Sequence, residues 1–264
     1  MINAFWWTSE QQQTNWGDII APIIIEFLSE QKSCCRLDGG RLLTVGSILT
    51  LMNDNDIVWG SGLIVPKLDR KYNNVRFCAV RGPLTRNVLI QEGYDVPEIY
   101  GDPGILMPKI IPIRNKISKT RPIGIIPHYS DREHTIQNLI SNRVNVIDIM
   151  SGVENVMNEV SKCSVIISSS LHGVILAEAW KKKTIYAIMG NRLYGGDFKF
   201  KDYYLGSGDR KVTPVDFTGK ITDDVLDDAI EMANKVSKPI YDFKKLIMSF
   251  PYLSNERREK YAQK

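Results

Sequence analysis

Histidines, paired arginines and short Gly- or Ser-rich turns are the residues of this chain that can do chemistry. The densest group is Ser168-Ser169-Ser170-Leu171-His172-Gly173, where the apolar run Val165–Ile167 delivers three hydroxyls and an imidazole onto a helical pattern. Exposed amides and the positive dipole end suit a helix start to an anion. The same dipole lowers the basicity of an imidazole unless an anion offsets it, so protonation of His172 is expected to follow substrate binding. A lone histidine there reads as a helix cap, but the serines before it and Gly173 after it favour a functional one.

The second group is Val80-Arg81-Gly82-Pro83-Leu84-Thr85-Arg86. Arg81 leaves an apolar run, Gly82 permits a tight turn, Pro83 suits the first helical position, and Arg86 falls in the first turn. Two guanidiniums beside a helix start make a clamp for carboxylate or phosphate. Arg86 reads equally well as a solvated surface residue, whereas an arginine at a strand's end is costly unless used or paired. Trp59-Gly60-Ser61-Gly62 closes another apolar run, and the amides of Gly60, Ser61 and Gly62 can converge on an anion. That turn lacks GxGxxG spacing and no Walker A lysine motif occurs, which disfavours a nucleotide cofactor.

Asn15-Trp16-Gly17-Asp18 stands before apolar Ile19–Leu28, with Asp18 placed either to cap a helix or to act. Gly101-Asp102-Pro103-Gly104 is a turn whose Asp102 can orient a partner. His128 follows Pro127 on the rim of a strand, Asp131 opens the next helix, and His134 reads as a surface residue. The histidines show no spacing for joint metal ligation, so no metal is expected.

The elements that must position these groups alternate between strand and helix. Arg41–Val45, Asp56–Trp59, Val75–Val80 and Glu98–Tyr100 read as strands, with a helix over the stretch from Leu84 to Gly93. Pro108–Arg121, with three prolines, reads as a linker. The rhythm restarts with strands at Pro122–Ile126, Val144–Ile149, Val165–Ile167 and Thr184–Ile188. Helices are expected over Asp131–Ser141, Val153–Lys162 and Val174–Lys183. Val212–Phe217 is strand-like, and helices follow from about Thr222. This alternation predicts an α/β protein with parallel sheets. Two Rossmann-like domains, 1–110 and 122–225, are expected to face a cleft, followed by a C-terminal helical segment from 226 to 264. In such sheets ligands sit off the carboxyl ends of the strands, where nearly every turn named above falls.

Composition bounds the rest. The 264 residues are 43% hydrophobic and 24% charged, which excludes a disordered chain. A net charge of +4 is too mild for a dedicated nucleic-acid binder and points to anionic small molecules. Cys34, Cys35, Cys78 and Cys163 lack zinc-ligand or disulfide-framework spacing. No signal peptide opens the chain and no apolar stretch is long enough to span a bilayer, so a reduced, cytoplasmic setting is expected. Lys244, Lys245, Arg257, Arg258 and Lys260 lie among Leu246, Ile247, Met248, Phe250 and Tyr252. That pattern fits either peripheral docking on the inner membrane face or a solvated helix.

Taken together, NWGD, WGSG, VRGPLTR, YGDPG, IPHYSD and SSSLHG occur in an order that resembles the polysaccharide pyruvyl transferase family. The likeness is strongest to the succinoglycan-type bacterial exopolysaccharide branch and covers about Thr14–Gly206, with FKDYY at Phe200–Tyr204 also family-like.

 The resemblance implies transfer of pyruvate from phosphoenolpyruvate onto two hydroxyls of one sugar, with a cyclic ketal formed and phosphate released. It also implies a B-type glycosyltransferase-like fold, a glycan acceptor, either free or lipid-linked at the membrane face, and no cofactor beyond the donor substrate. The family's catalytic histidine maps onto His172 and its first donor-binding arginine onto Arg81. Its Arg-Leu-His-Gly reads Ser170-Leu171-His172-Gly173 here, so Ser170 bonds the donor neutrally or Arg86, Lys199 or Arg192 replaces the missing cation. Asn15, Asp18, Asp102 and His128 are left as supporting or acceptor-side residues, with Asp18, Asp102 or His128 as a base toward the sugar. The alternatives are a sugar-nucleotide glycosyltransferase of the same architecture and a non-catalytic glycan-binding subunit.

Overall fold

The computed structural model describes residues 1–7, 15–112, 121–190 and 194–263. Arg192 and most of the expected linker lie outside them. The first half contains β1 (Ile2–Phe5), α1 (Trp16–Ser29), β2 (Ser33–Cys35), β3 (Leu42–Leu43), β4 (Ile57–Trp59), β5 (Arg76–Ala79) and α2 (Pro83–Gln91). A 3₁₀ turn (Pro103–Leu106) and α3 (Met107–Ile110) follow. The second half contains β6 (Ile123–Ile126), α4 (Arg132–Asn138), β7 (Val144–Val146), α5 (Val153–Ser161), β8 (Val165–Ser168), α6 (Leu171–Ala179) and β9 (Lys183–Ile188). It continues through α7 (Phe198–Gly206), β10 (Val215–Asp216), α8 (Asp223–Lys235), α9 (Phe243–Met248) and α10 (Asn255–Ala262).

Two five-stranded sheets result, ordered β2-β1-β3-β4-β5 and β10-β9-β8-β6-β7, and their paired strands run parallel. Within each sheet the strands stand in the order second, first, third, fourth, fifth of that half. Such an order reverses direction between its first and third strands, and ligands of open α/β sheets bind beyond the carboxyl ends at that reversal. The reversals here are β1/β3 and β6/β8.

The period-two alternation of strands sets the layers. Val165 and Ile167 face the side covered by Leu226, Ala229 and Ala233 of α8, while Ile166 faces the other way. That other side belongs to one apolar cluster shared by both halves, with Ile20 and Ile24 of α1, Leu106, Val174 and Ile175 of α6, and Leu246 of α9. One apolar core therefore joins the halves. Polar groups meet where this core ends.

Several expectations are corrected. Glu98–Tyr100 forms a single bridge between Val80 and Tyr100. The helix expected from Val174 begins at Leu171, which places His172 inside its first turn. Leu246, Ile247 and Phe250 are each 1% exposed in the shared core, and the Trp59 indole donates to the Leu246 carbonyl at 2.9 Å. These three apolar residues of the membrane-docking pattern are thus internal while Tyr252 stays exposed, and α9 returns to the first half. No helix among the described residues is long and apolar enough to cross a membrane.

Candidate active site

Two helix starts, one at each strand reversal, build the site. Asn15 precedes α1 with extended backbone, and its Oδ1 accepts from the Gly17 amide at 3.0 Å. The same oxygen lies 2.9 Å from Nδ1 of His172, in the first turn of α6. Because the capping bond fixes Oδ1 as the acceptor, Nδ1 must carry the hydrogen and Nε2 keeps its lone pair. The imidazole lies directly on Gly17, where an added Cβ would stand 2.1 Å from the ring.

Nε2 points toward the loop after β3. A Cβ placed on Gly46 would sit 3.3 Å from Nε2 and 3.6 Å from Oδ1 of Asp18, so base and carboxyl border the same small space. Asp102 holds this loop: its two oxygens accept from the Gly46 and Gly104 amides at 3.1 and 2.9 Å. Burial drives the carboxyls up, Asp18 to about 7 with help from Asp102 and against Lys199, and Asp102 to about 6 against its amide bonds and Arg81. Burial also pushes His172 down to about 3, assisted by Lys199, Arg81 and His128. Near neutral pH the histidine is an unprotonated base, and Asp18 still holds its proton about half of the time.

The second reversal adds His128 and the serines. The His128 amide donates to Ser169 Oγ at 2.8 Å, and its Nδ1 lies 2.7 Å from Ser130 Oγ. Burial and then Lys199 lower the His128 imidazole to about 4. Ser168 Oγ donates to the carbonyls of Ile126 and Ser170, which shapes the turn. Ser170 is buried but its side chain does not cap α6. Leu171, expected at the donor, has its side chain in the shared core.

The arginine clamp does not form. Arg81 is fully buried, with Nε donating to Asp202 Oδ2 at 3.0 Å, Nη2 to the Leu63 carbonyl at 2.6 Å and Nη1 to Ser47 Oγ at 2.5 Å. Asp202 also accepts from the amide and hydroxyl of Thr85. Arg86 instead donates from Nε to the Val96 carbonyl at 2.9 Å, so the two guanidiniums share no partner. The Gly60 and Gly62 amides are likewise occupied, by the carbonyls of Ala79 and Gly46, and Ser61 Oγ donates to Gly46. These glycines serve close approach: Gly60 has φ +89° against Pro103, and Gly62 underlies the Arg81 guanidinium.

α7 carries both Asp202, which pairs Arg81, and Lys199. Lys199 is buried, and its charge acts on Asp18, His128 and His172. No cluster of three or more His, Cys, Asp or Glu suited to a metal ion occurs among the described residues.

Residues 38–188, more than half of the chain, match the family model for polysaccharide pyruvyl transferase. The chain belongs to this family. The match contains Arg81, Asp102, His128 and His172, while Asn15, Asp18, Lys199 and Asp202 lie outside it. An uncharacterized protein of Acanthamoeba polyphaga mimivirus is 34% identical over 166 residues, covering 60% of this chain and 57% of that relative. The chain thus matches little more than half the length of that relative. No solved structure is matched significantly.

Proposed function

We propose that the protein transfers the pyruvyl group of phosphoenolpyruvate to two hydroxyls of one sugar in a glycan, forming a cyclic ketal and releasing phosphate. The observation that carries this reading is the fixed tautomer of His172, with Nε2 and the Asp18 carboxyl bordering the same space at Gly46, in a chain of the pyruvyl transferase family. The acceptor belongs to a polysaccharide or its precursor, as in the succinoglycan-type branch. The common strand order of the two sheets supports reading 1–110 and 122–225 as Rossmann-like domains of B-type glycosyltransferase architecture.

The two perturbed groups divide the acid and base work. Asp18 gives its proton to the methylene carbon, which becomes a methyl group as the double-bond electrons form the C–H bond. C2 is left cationic. His172 Nε2 takes the proton of the first sugar hydroxyl as that oxygen bonds to C2. The C2–O bond to phosphate then breaks, with its electron pair leaving on the phosphate, and the second hydroxyl closes the ring at C2. Of the two hydroxyl protons, one replaces the proton given to carbon and the other leaves with the phosphate. Both side chains return to their starting states. Arg81, neutralised by Asp202, shapes the field from behind Ser47.

The test is phosphate release from phosphoenolpyruvate across a panel of oligosaccharides. Release that requires a glycan, and falls about 10²–10⁴-fold in His172→Ala, supports the reading. Turnover of nucleotide sugars instead would assign a glycosyltransferase, and glycan binding without any turnover would assign a binding subunit.

A further inference from the structure

Lys199 stands against the field of its own helix. It is the second residue of α7, in the first turn, where the dipole disfavours a cation. Its residue exposure is 7%, yet it makes no hydrogen bond or ion pair with any described residue. Its ammonium lies 5.7 Å from the Phe200 ring centroid. The neighbouring Lys201 shows the ordinary arrangement, paired with Asp197 at 2.7 Å in solvent.

The described groups around Lys199 do not neutralise it. Arg81 repels it and is itself matched by Asp202. His128 and His172 are both pushed toward neutrality, in part by Lys199. Asp18 and Asp131 attract it only from beyond ion-pair distance. Burial, followed by Arg81, lowers Lys199 to about 8, so it remains mostly charged at neutral pH. A buried cation without a counter-ion is costly, and such placement marks sites that receive a charge from outside. The start of α6, whose Ser170 hydroxyl does not cap it, lies in the same cluster with amides unsatisfied by a cap.

We propose that Lys199 is the anion-binding residue of this site, holding the phosphate of the donor between its ammonium and the start of α6. This rests on the pyruvyl-transfer reading for the identity of the donor, and it gives the cation missing at Ser170 a specific replacement. A dianion there offsets the Lys199 charge, which after burial is the next cause of the lowered His172 proton affinity, and so couples donor binding to the base.

The test measures binding of inorganic phosphate and of phosphoenolpyruvate to the full-length chain by titration calorimetry, without any acceptor. Lys199→Met is expected to weaken both about ten- to hundredfold, the range of one charge-assisted bond. Lys199→Arg should retain most of the affinity and Lys201→Met should equal wild type. Lys199→Met should also melt at or above the wild-type temperature without anion, since it removes an unpaired buried charge, and it should lose the stabilisation that phosphate gives wild type. Unchanged phosphate affinity in a folded Lys199→Met protein overturns the assignment, even if glycan pyruvylation proceeds. Loss of phosphate binding with no pyruvylation of any glycan by wild type keeps the anion site and rejects pyruvyl transfer.

Discussion

Asn15 is the residue whose replacement reports most directly on how His172 works. Its single Oδ1 both caps α1 and holds Nδ1–H of the imidazole. Asn15→Ala removes both bonds. Loss of the cap costs about 0.5–2 kcal/mol of stability. Loss of an acceptor worth about 0.5–1.5 kcal/mol lets the other tautomer compete, lowering the active form by roughly two- to tenfold. Asn15→Asp keeps the cap and the acceptor but sets a carboxylate 2.9 Å from the ring, in place of the amide oxygen. An opposite charge so close raises an imidazole by about 1–3 units. Burial, aided by Lys199, Arg81 and His128, holds His172 at about 3, and none of these changes in the variant. A base must be neutral to act, so the acid limb of kcat/KM should move up from about 3 into the range of about 4–6. The wild-type fold should weaken as pH falls below 6.5 toward 3, because the native imidazole resists protonation. Asn15→Asp should soften that loss. A kcat/KM profile with thermal melts from pH 4 to 9 reads both effects. An Asn15→Ala rate within twofold of wild type, or an Asn15→Asp acid limb that does not move, refutes the assigned tautomer and base.

Asp18→Asn should lower kcat about 10²–10⁴-fold and abolish the fall in rate above about pH 7. Asp102, Lys199 and His172 still face the position. Because the native Asp18 holds its proton more tightly than its unfolded value of 3.8, ionisation destabilises wild type as pH rises; Asp18→Asn should therefore gain in melting temperature between pH 5 and 8 relative to wild type. Gly17→Ala puts a Cβ 2.1 Å from the His172 ring, and a displacement of this kind should cost about 10²-fold in kcat while calorimetry finds donor affinity unchanged. Asp202→Ala leaves Arg81 buried without its carboxylate, with an expected loss of about 3–5 kcal/mol in urea unfolding. A loss below about 1 kcal/mol would show that Ser47 and Leu63 suffice to hold the guanidinium.

The legible parts of this protein are those encoded locally. The β-branched runs at Ile57–Trp59, Ile123–Ile126 and Val165–Ser168 stand out as strands, and three serines before His172 mark a turn at a strand's end. β1 and β2 escape notice because INAF holds one β-branched residue and SCC none, so neither reads as a β-branched run. α7 is hidden for another reason. Its buried residues include Lys199 and Asp202 beside Phe200, Tyr203 and Tyr204, so no apolar stripe separates from a polar one. Partners distant in sequence are the least visible. Asp202 lies 121 residues from Arg81, and without it two nearby arginines read as a clamp. Asn15 lies 157 residues from His172, and only the meeting of two strand reversals shows that the first helix start orients the base at the second.

The most direct test of the central claim is the mass of an acceptor oligosaccharide after incubation with phosphoenolpyruvate in deuterium oxide. Proton delivery from Asp18 to the methylene carbon predicts that the glycan gains pyruvate less one water, with one solvent deuterium in the new methyl group and one phosphate released per ketal. A glycan that gains a sugar from a nucleotide donor, or gains nothing while the folded protein binds phosphoenolpyruvate, would contradict the account.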